Sequence, residues 1–179
     1  MKSVVRREPF SNPIIKRLPA LVSALGLLAV TACGGDFDSG LGFSVGKHAD
    51  LNIAVAGTKV PGDEPYVGIR HARNPKCLVG TVLPFMDISP KKYFENVSNE
   101  VMADGAIPFL EKKPELQTKG RVVFAAVSAY DEAAKKYIPS YAAAFRAKGK
   151  LWIAWVQMKC PEPEYAELAR SVITSLRPH

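Results

Sequence analysis

The apolar run "LPALVSALGLLAVTA", Leu18 to Ala32, decides how much of this chain can enter a fold. As a helix its fifteen residues, rising about 1.5 Å each, reach roughly 22 Å, short of the ~30 Å hydrocarbon core of a bilayer. Five basic residues (Lys2, Arg6, Arg7, Lys16, Arg17) precede it against one acid, Glu8, and the small residues Thr31 and Ala32 close it ahead of Cys33. A basic segment, a short apolar segment and a small-residue exit are the three parts of an export signal. Residues 1–32 are therefore expected to be cut away, which leaves 147 of the 179 residues to fold, enough for one domain. The same cut explains the headline charge of +7. With five basic residues and one acid gone, 19 and 16 remain, a net of +3, too small and too scattered for nucleic-acid binding.

"VTAC", Val30 to Cys33, resembles the lipobox of bacterial lipoproteins: an aliphatic residue, two small residues, then cysteine. The resemblance implies a diacylglyceryl group on the Cys33 sulfur, cleavage after Ala32 and acylation of the new amine. Each buried methylene contributes about 0.8 kcal/mol, so several chains together hold a water-soluble body firmly on a membrane. Gly34 follows the cysteine where an Asp would mark inner-membrane retention, so outer-membrane sorting, facing the periplasm, is expected in a diderm source.

The remainder divides by composition and period. "CGGDFDSGLGFSVG" holds five glycines in fourteen residues, and residues 33–49 read as a lipidated, flexible tether. A single domain is then expected over 50–179. "LNIAVAG" and "YVGIR" alternate as strands around a turn at "KVPGDEP", and "CLVGTVLPF" is a third strand. "DISPKKYFENVSNEVMADG" is the clearest helix. Ser89 suits its N-cap and Pro90 its first position, Ile88 and Tyr93 have staple spacing, Phe94, Val97 and Val101 share a face, and Gly105 ends it.

"RVVFAAVSAY" is a strand. Residues 131–148 suit helix by their alanines, but Pro139 would break one, so a hairpin is preferred: strand Tyr137 to Arg146, a turn at Gly149, then "LWIAWVQMK". "PEPEYAELARSVITSLRP" is an amphipathic helix with Leu168, Val172 and Leu176 on one face, stopped by Pro178. The implied fold class is α+β, an antiparallel sheet covered by two main helices on one face. This order, from "NIAVAGTKVPGDEPYVGIR" through the helix ending "ADG" to "GKLW" and a terminal helix, is similar to the YajG-like envelope lipoproteins. The late hairpin and closing helix also resemble the PsbP-like sandwich. Both likenesses imply a sandwich; neither supplies catalytic residues.

Cys77 and Cys160 remain once Cys33 is acylated. An even pair in an exported chain is a candidate disulfide, and antiparallel neighbours would bring the start of one strand to the end of the other; the alternative is two unrelated buried thiols. "GFSVG", Gly42 to Gly46, matches the nucleophile-elbow string but lacks the strand-then-helix context, and "SPKK" at Ser89 lacks its partner motifs. His48, His71 and His179 are too scattered for a metal site, and His71 falls in a basic turn expected to be solvated. No cofactor is indicated. Trp152 and Trp155, three apart, point to opposite faces of a strand. Together with Tyr137, Tyr141 and Phe145 they form either a two-layer core, the favoured reading, or an aromatic binding face. The expected function is a non-enzymatic interaction module, lipid-anchored in the envelope and contacting an envelope protein. A carrier of an apolar or lipidic ligand between sheet and helices is the alternative.

Overall fold

The computed structural model describes residues 35–57, 64–102 and 107–179. The leader, Ala32 and Cys33, most of the "KVPGDEP" turn and Gly105 lie outside them. Twelve strands and two helices follow one another through the described residues. The main sheet is built from β3 (Leu51–Ala56), β4 (Tyr66–His71), β5 (Leu78–Phe85), β8 (Gln117–Lys119), β9 (Val122–Asp131), β10 (Lys136–Ala147) and β11 (Lys150–Met158). Its order is β3-β4-β5-β11-β10-β9-β8, antiparallel throughout. The last strand of the meander thus returns to lie between β5 and β10.

The expected hairpin is present. Lys148 and Gly149 both adopt positive φ, 47° and 76°, as a two-residue turn twisted to match its strands requires. Pro139 is accommodated because it precedes the first pair of β10 with β11, Ser140 with Gln157, so there is no ladder on that side to interrupt.

The run Leu151–Val156 is buried along its whole length, so both faces of the sheet need a cover. On one face Trp152, Ala154 and Val156 lie with α2 (Pro163–Thr174), which contributes Tyr165, Leu168, Val172 and Ile173 to the same cluster. On the other, Trp155 donates its indole N–H to the hydroxyl of Tyr93 at 2.8 Å, and Tyr93 belongs to α1 (Pro90–Ser98). Phe85 and Phe109 pack edge-on against Tyr93 and Trp155, at 5.3 and 5.6 Å. The helices therefore take opposite faces, and the expectation that both cover one face is corrected. The alternation of Trp152 and Trp155 dictates this, since neither indole can be left in water.

The tether is corrected as well. Residues of the glycine-rich stretch form β1 (Asp36–Asp38) and β2 (Phe43–Gly46), which pair with each other and with β12 (Arg177–Pro178) as a small second sheet. Phe43 and Val45 are fully buried; Phe43 lies 5.0 Å from Trp152 and 5.3 Å from Phe145 between ring centroids. The glycines serve the turn instead of slackness: Gly40 and Gly42 have φ of 69° and 98°. Gly46 passes so close to Ser175 that a Cβ there would come within 2.7 Å of that side chain.

The C-terminal ends of both helices differ from expectation. Ser89 caps α1 as expected, its hydroxyl accepting from the Lys92 N–H at 3.2 Å. The helix stops at Ser98, whose hydroxyl donates back to Phe94 O at 2.6 Å, and Asn99 caps it, residue types that favour turns over helix interiors. Val101 is consequently not on the helical face; it is exposed in β6 (Val101–Met102), paired with β7 (Ile107–Pro108). At the other end α2 stops at Thr174, before Pro178, which pairs with Phe43 as part of β12.

Truncating Phe43 to alanine is expected to cost about 3–5 kcal/mol, as for other buried phenylalanines. Urea unfolding of the variant measures it; a change near zero would mean that residues 33–49 are a tether after all.

Candidate functional site

Cys77 precedes β5 and Cys160 follows β11. Leu78 pairs with Met158, and one step further the Lys159 N–H donates to Cys77 O at 2.8 Å, so the ladder itself carries the two residues together. Their Cα atoms are 4.8 Å apart and their sulfurs are bonded, across a sequence separation of 83. In the chain-entropy model, closing a loop of this size disfavours the unfolded state by about 4–5 kcal/mol.

An open cleft of about 400 Å³ lies beside the disulfide-bearing end of the sheet, where β3 begins, β4 ends and α2 starts. On β4 the alternation Val67, Ile69, His71 places His71 on the core side, and it is 5% exposed instead of solvated. Its Nδ1 accepts from the Asn74 N–H at 2.9 Å, while its ring meets Tyr165 edge-on at 5.2 Å. Asn74 also donates to the Tyr165 hydroxyl at 3.0 Å, so α2, the turn after β4 and the imidazole are fixed as one unit. An accepting Nδ1 leaves the hydrogen of a neutral imidazole on Nε2.

Across the cleft Arg73 donates to Asp50 at 2.9 Å, and His48 lies 3.7 Å from the same carboxylate. The Arg73 hydrogen bond, aided by the positive charge of Arg73, holds the Asp50 carboxyl below its usual value against the opposing effect of burial. Asp50 in turn raises Arg73. Glu164, Glu167 and Ser171 of α2 complete a polar lining. His48 and His71 thus share one cleft although they are distant in sequence. His179 does not join them; its N–H donates to Gly42 O at 2.9 Å.

The other candidates resolve into structure. Among the described residues no three His, Cys, Asp or Glu side chains converge as metal ligands. Ser44 of "GFSVG" is 4% exposed on β2, with no helix after it, and Ser89 is occupied as an N-cap. The aromatic residues do not share an open face. Trp152 and Phe145 are sealed beneath α2 and β2, and Trp155 lies under α1. Tyr137 and Tyr141 are half-buried, Tyr137 donating to Pro108 O at 2.8 Å and stacking edge-on with Tyr130.

No protein-family model matches the chain, and no curated protein matches it. Among solved structures it is similar to the solution structure of cyanobacterial PsbP (CyanoP) from Synechocystis sp. PCC 6803. The TM-score is 0.52 at 12% identity, over 85% of this chain and 99% of that one. The fold is therefore PsbP-like, the second of the two resemblances seen in the sequence; the comparison says nothing for the YajG-like one. Among the described residues no helix is long and apolar enough to cross a membrane.

At the β9–β10 turn, burial pushes the Asp131 carboxyl up, but the N–H groups of Ala134 and Ala133 and the Lys159 ammonium at 3.2 Å outweigh it and hold it low. Asp50 and Asp131 are thus both depressed in the folded state. Such groups contribute stability that is full above the unfolded value and disappears as pH falls through the folded one. Stability is expected to drop as pH passes below the ordinary aspartate value of 3.8. Asp131→Asn should flatten that drop in an acid series of denaturant melts; an unchanged slope would contradict it.

Proposed function

We propose that this chain is a cell-envelope lipoprotein, anchored through Cys33, whose mature domain is a non-enzymatic module that docks an envelope protein. The observation that carries the reading is the junction itself: a lipobox-like "VTAC" placed directly ahead of an ordered, disulfide-bonded body. A disulfide between strands of the main sheet suits an oxidising compartment, where such bonds persist. Gly34 after the cysteine favours the outer membrane, facing the periplasm, in a diderm source.

The cleft supports recognition of a polar segment of a partner. Its polar groups are held by one another, the Arg73 guanidinium on Asp50 and the Asn74 backbone N–H on His71, an arrangement suited to a rigid polar surface more than to a reacting group that must gain and lose protons. The carrier alternative needs apolar space between helix and sheet. Phe43, Phe145 and Trp152 are in ring contact on one side, and Tyr93, Phe109 and Trp155 on the other, which favours the docking reading.

The test is Cys33→Ser, followed by membrane fractionation and palmitate labelling. The unsubstituted protein should be labelled and sediment with membranes; the variant should lose the label and either keep its leader or be released. A variant that is processed and still fixed in the membrane would contradict the anchor. A photo-crosslinking side chain at position 73 should give a discrete protein adduct in the intact envelope, whereas adducts to lipid alone would favour the carrier.

A further inference from the structure

The ordered body begins almost at the cysteine. Only Gly34 and Gly35 separate Cys33 from Asp36, the first residue of β1, and three residues of chain reach at most about 11 Å. Whatever holds Cys33 in a bilayer therefore holds the small sheet β1-β2-β12 against it. That sheet is ringed by exposed cations. The Lys47 N–H donates to Gly35 O at 3.2 Å, which puts Lys47 beside the leash. Lys148 donates to Gly40 O at 2.9 Å, in the turn between β1 and β2. On the β12 side Lys119 donates to Thr174 O at 2.8 Å and Arg121 to Pro178 O at 3.1 Å.

The charged groups of Lys119, Arg121 and Lys148 meet neutral carbonyls, and among the described residues the exposed Lys47 ammonium forms no ion pair, so these charges stay uncancelled. The acids on the small sheet are Asp36, paired with Arg177 at 2.8 Å, and Asp38, which accepts from the Gly40 N–H. The cations outnumber them, and they lie on the part of the molecule that the leash cannot move away from the lipid.

We propose that this surface is a second membrane contact: the small sheet rests on the bilayer, and Lys47, Lys119, Arg121 and Lys148 engage the anionic headgroups of its lipids. The inference rests on the lipid-anchor reading above. Anchor and basic surface act together, since acyl chains combined with a basic patch hold a domain more tightly than either does alone. The short leash also fixes which side of the domain faces the lipid, which slack chain would not do.

The test uses the protein as purified from membranes, reconstituted in vesicles of phosphatidylcholine with or without 30 mol% phosphatidylglycerol, a composition chosen at about the anionic fraction that such patches respond to. A water-soluble amine-acetylating reagent is added, and modification is read lysine by lysine by mass spectrometry. In the anionic vesicles Lys47, Lys119 and Lys148 should be modified about fivefold more slowly, while Lys91 on α1 and Lys136 at the β9–β10 turn keep their rates. Equal rates in both vesicles, or slowing shared by Lys91 and Lys136, would overturn the basic surface. Intact mass reports acylation separately. An acylated Cys33 without protection sinks the surface and spares the anchor, and an unacylated Cys33 with protection confined to these lysines does the reverse.

Discussion

A strand apolar on both faces, placed in the middle of a sheet, has to be covered twice. β11 is that strand. Its two tryptophans, three residues apart, present 150–250 Å² of aromatic surface each to opposite layers, roughly 4–6 kcal/mol of burial apiece by area. Trp155 is met by α1 through an indole-to-phenol hydrogen bond, and burial pushes the Tyr93 phenol far above its usual range although that hydrogen bond acts in the opposite sense. Trp152 is met by α2 and by Phe43. Small residues on β10, Ala142, Ala143 and Ala144, leave room for these rings on both sides.

The second cover is shared between a helix and a strand. α2 alone does not close the layer over Trp152 and Phe145; β2 supplies Phe43 and Val45, and β12 fixes β2 from the other side. The two ends of the described chain thus share one small sheet, which begins at Asp36, three residues after Cys33. The disulfide acts in the same sense at the far end of the molecule, tying β5 to β11, the pair on which the order of the main sheet turns. Beside the disulfide end lies the cleft of His71, Asn74 and Asp50.

Much of the main sheet could be read from residue pattern alone. The alternation in Leu51–Ala56 and Tyr66–His71, the Ser89–Pro90 helix start and the Gly149 turn each have a local cause, and each lies where that cause puts it. Cys77 and Cys160 could be paired because register follows from strand neighbours. What escaped depends on distant partners. Five glycines outweighed the "FSV" alternation in residues 43–45, whose meaning appears only once Trp152 and Phe145 are in place. The unbroken run "LWIAWV" did carry the signal that a sheet needs helices on both faces, but a helix does not announce in its own sequence which side it will take. His71 is legible too, as the third core-facing position after Val67 and Ile69, although its basic neighbours have the composition of a solvated turn. The cleft needed the fold, because His48, Asp50 and Glu164 meet only when α2 docks.

The order of β1 and β2, so close to Cys33, is what the proposed anchoring most depends on. Amide hydrogen exchange of the membrane-extracted protein measures it directly, through peptides covering residues 36–46. Protection approaching that of β10 and β11 is the predicted result. Exchange at the rate of free chain across Phe43–Gly46, with β10 and β11 still protected, would show a loose tether and contradict the account.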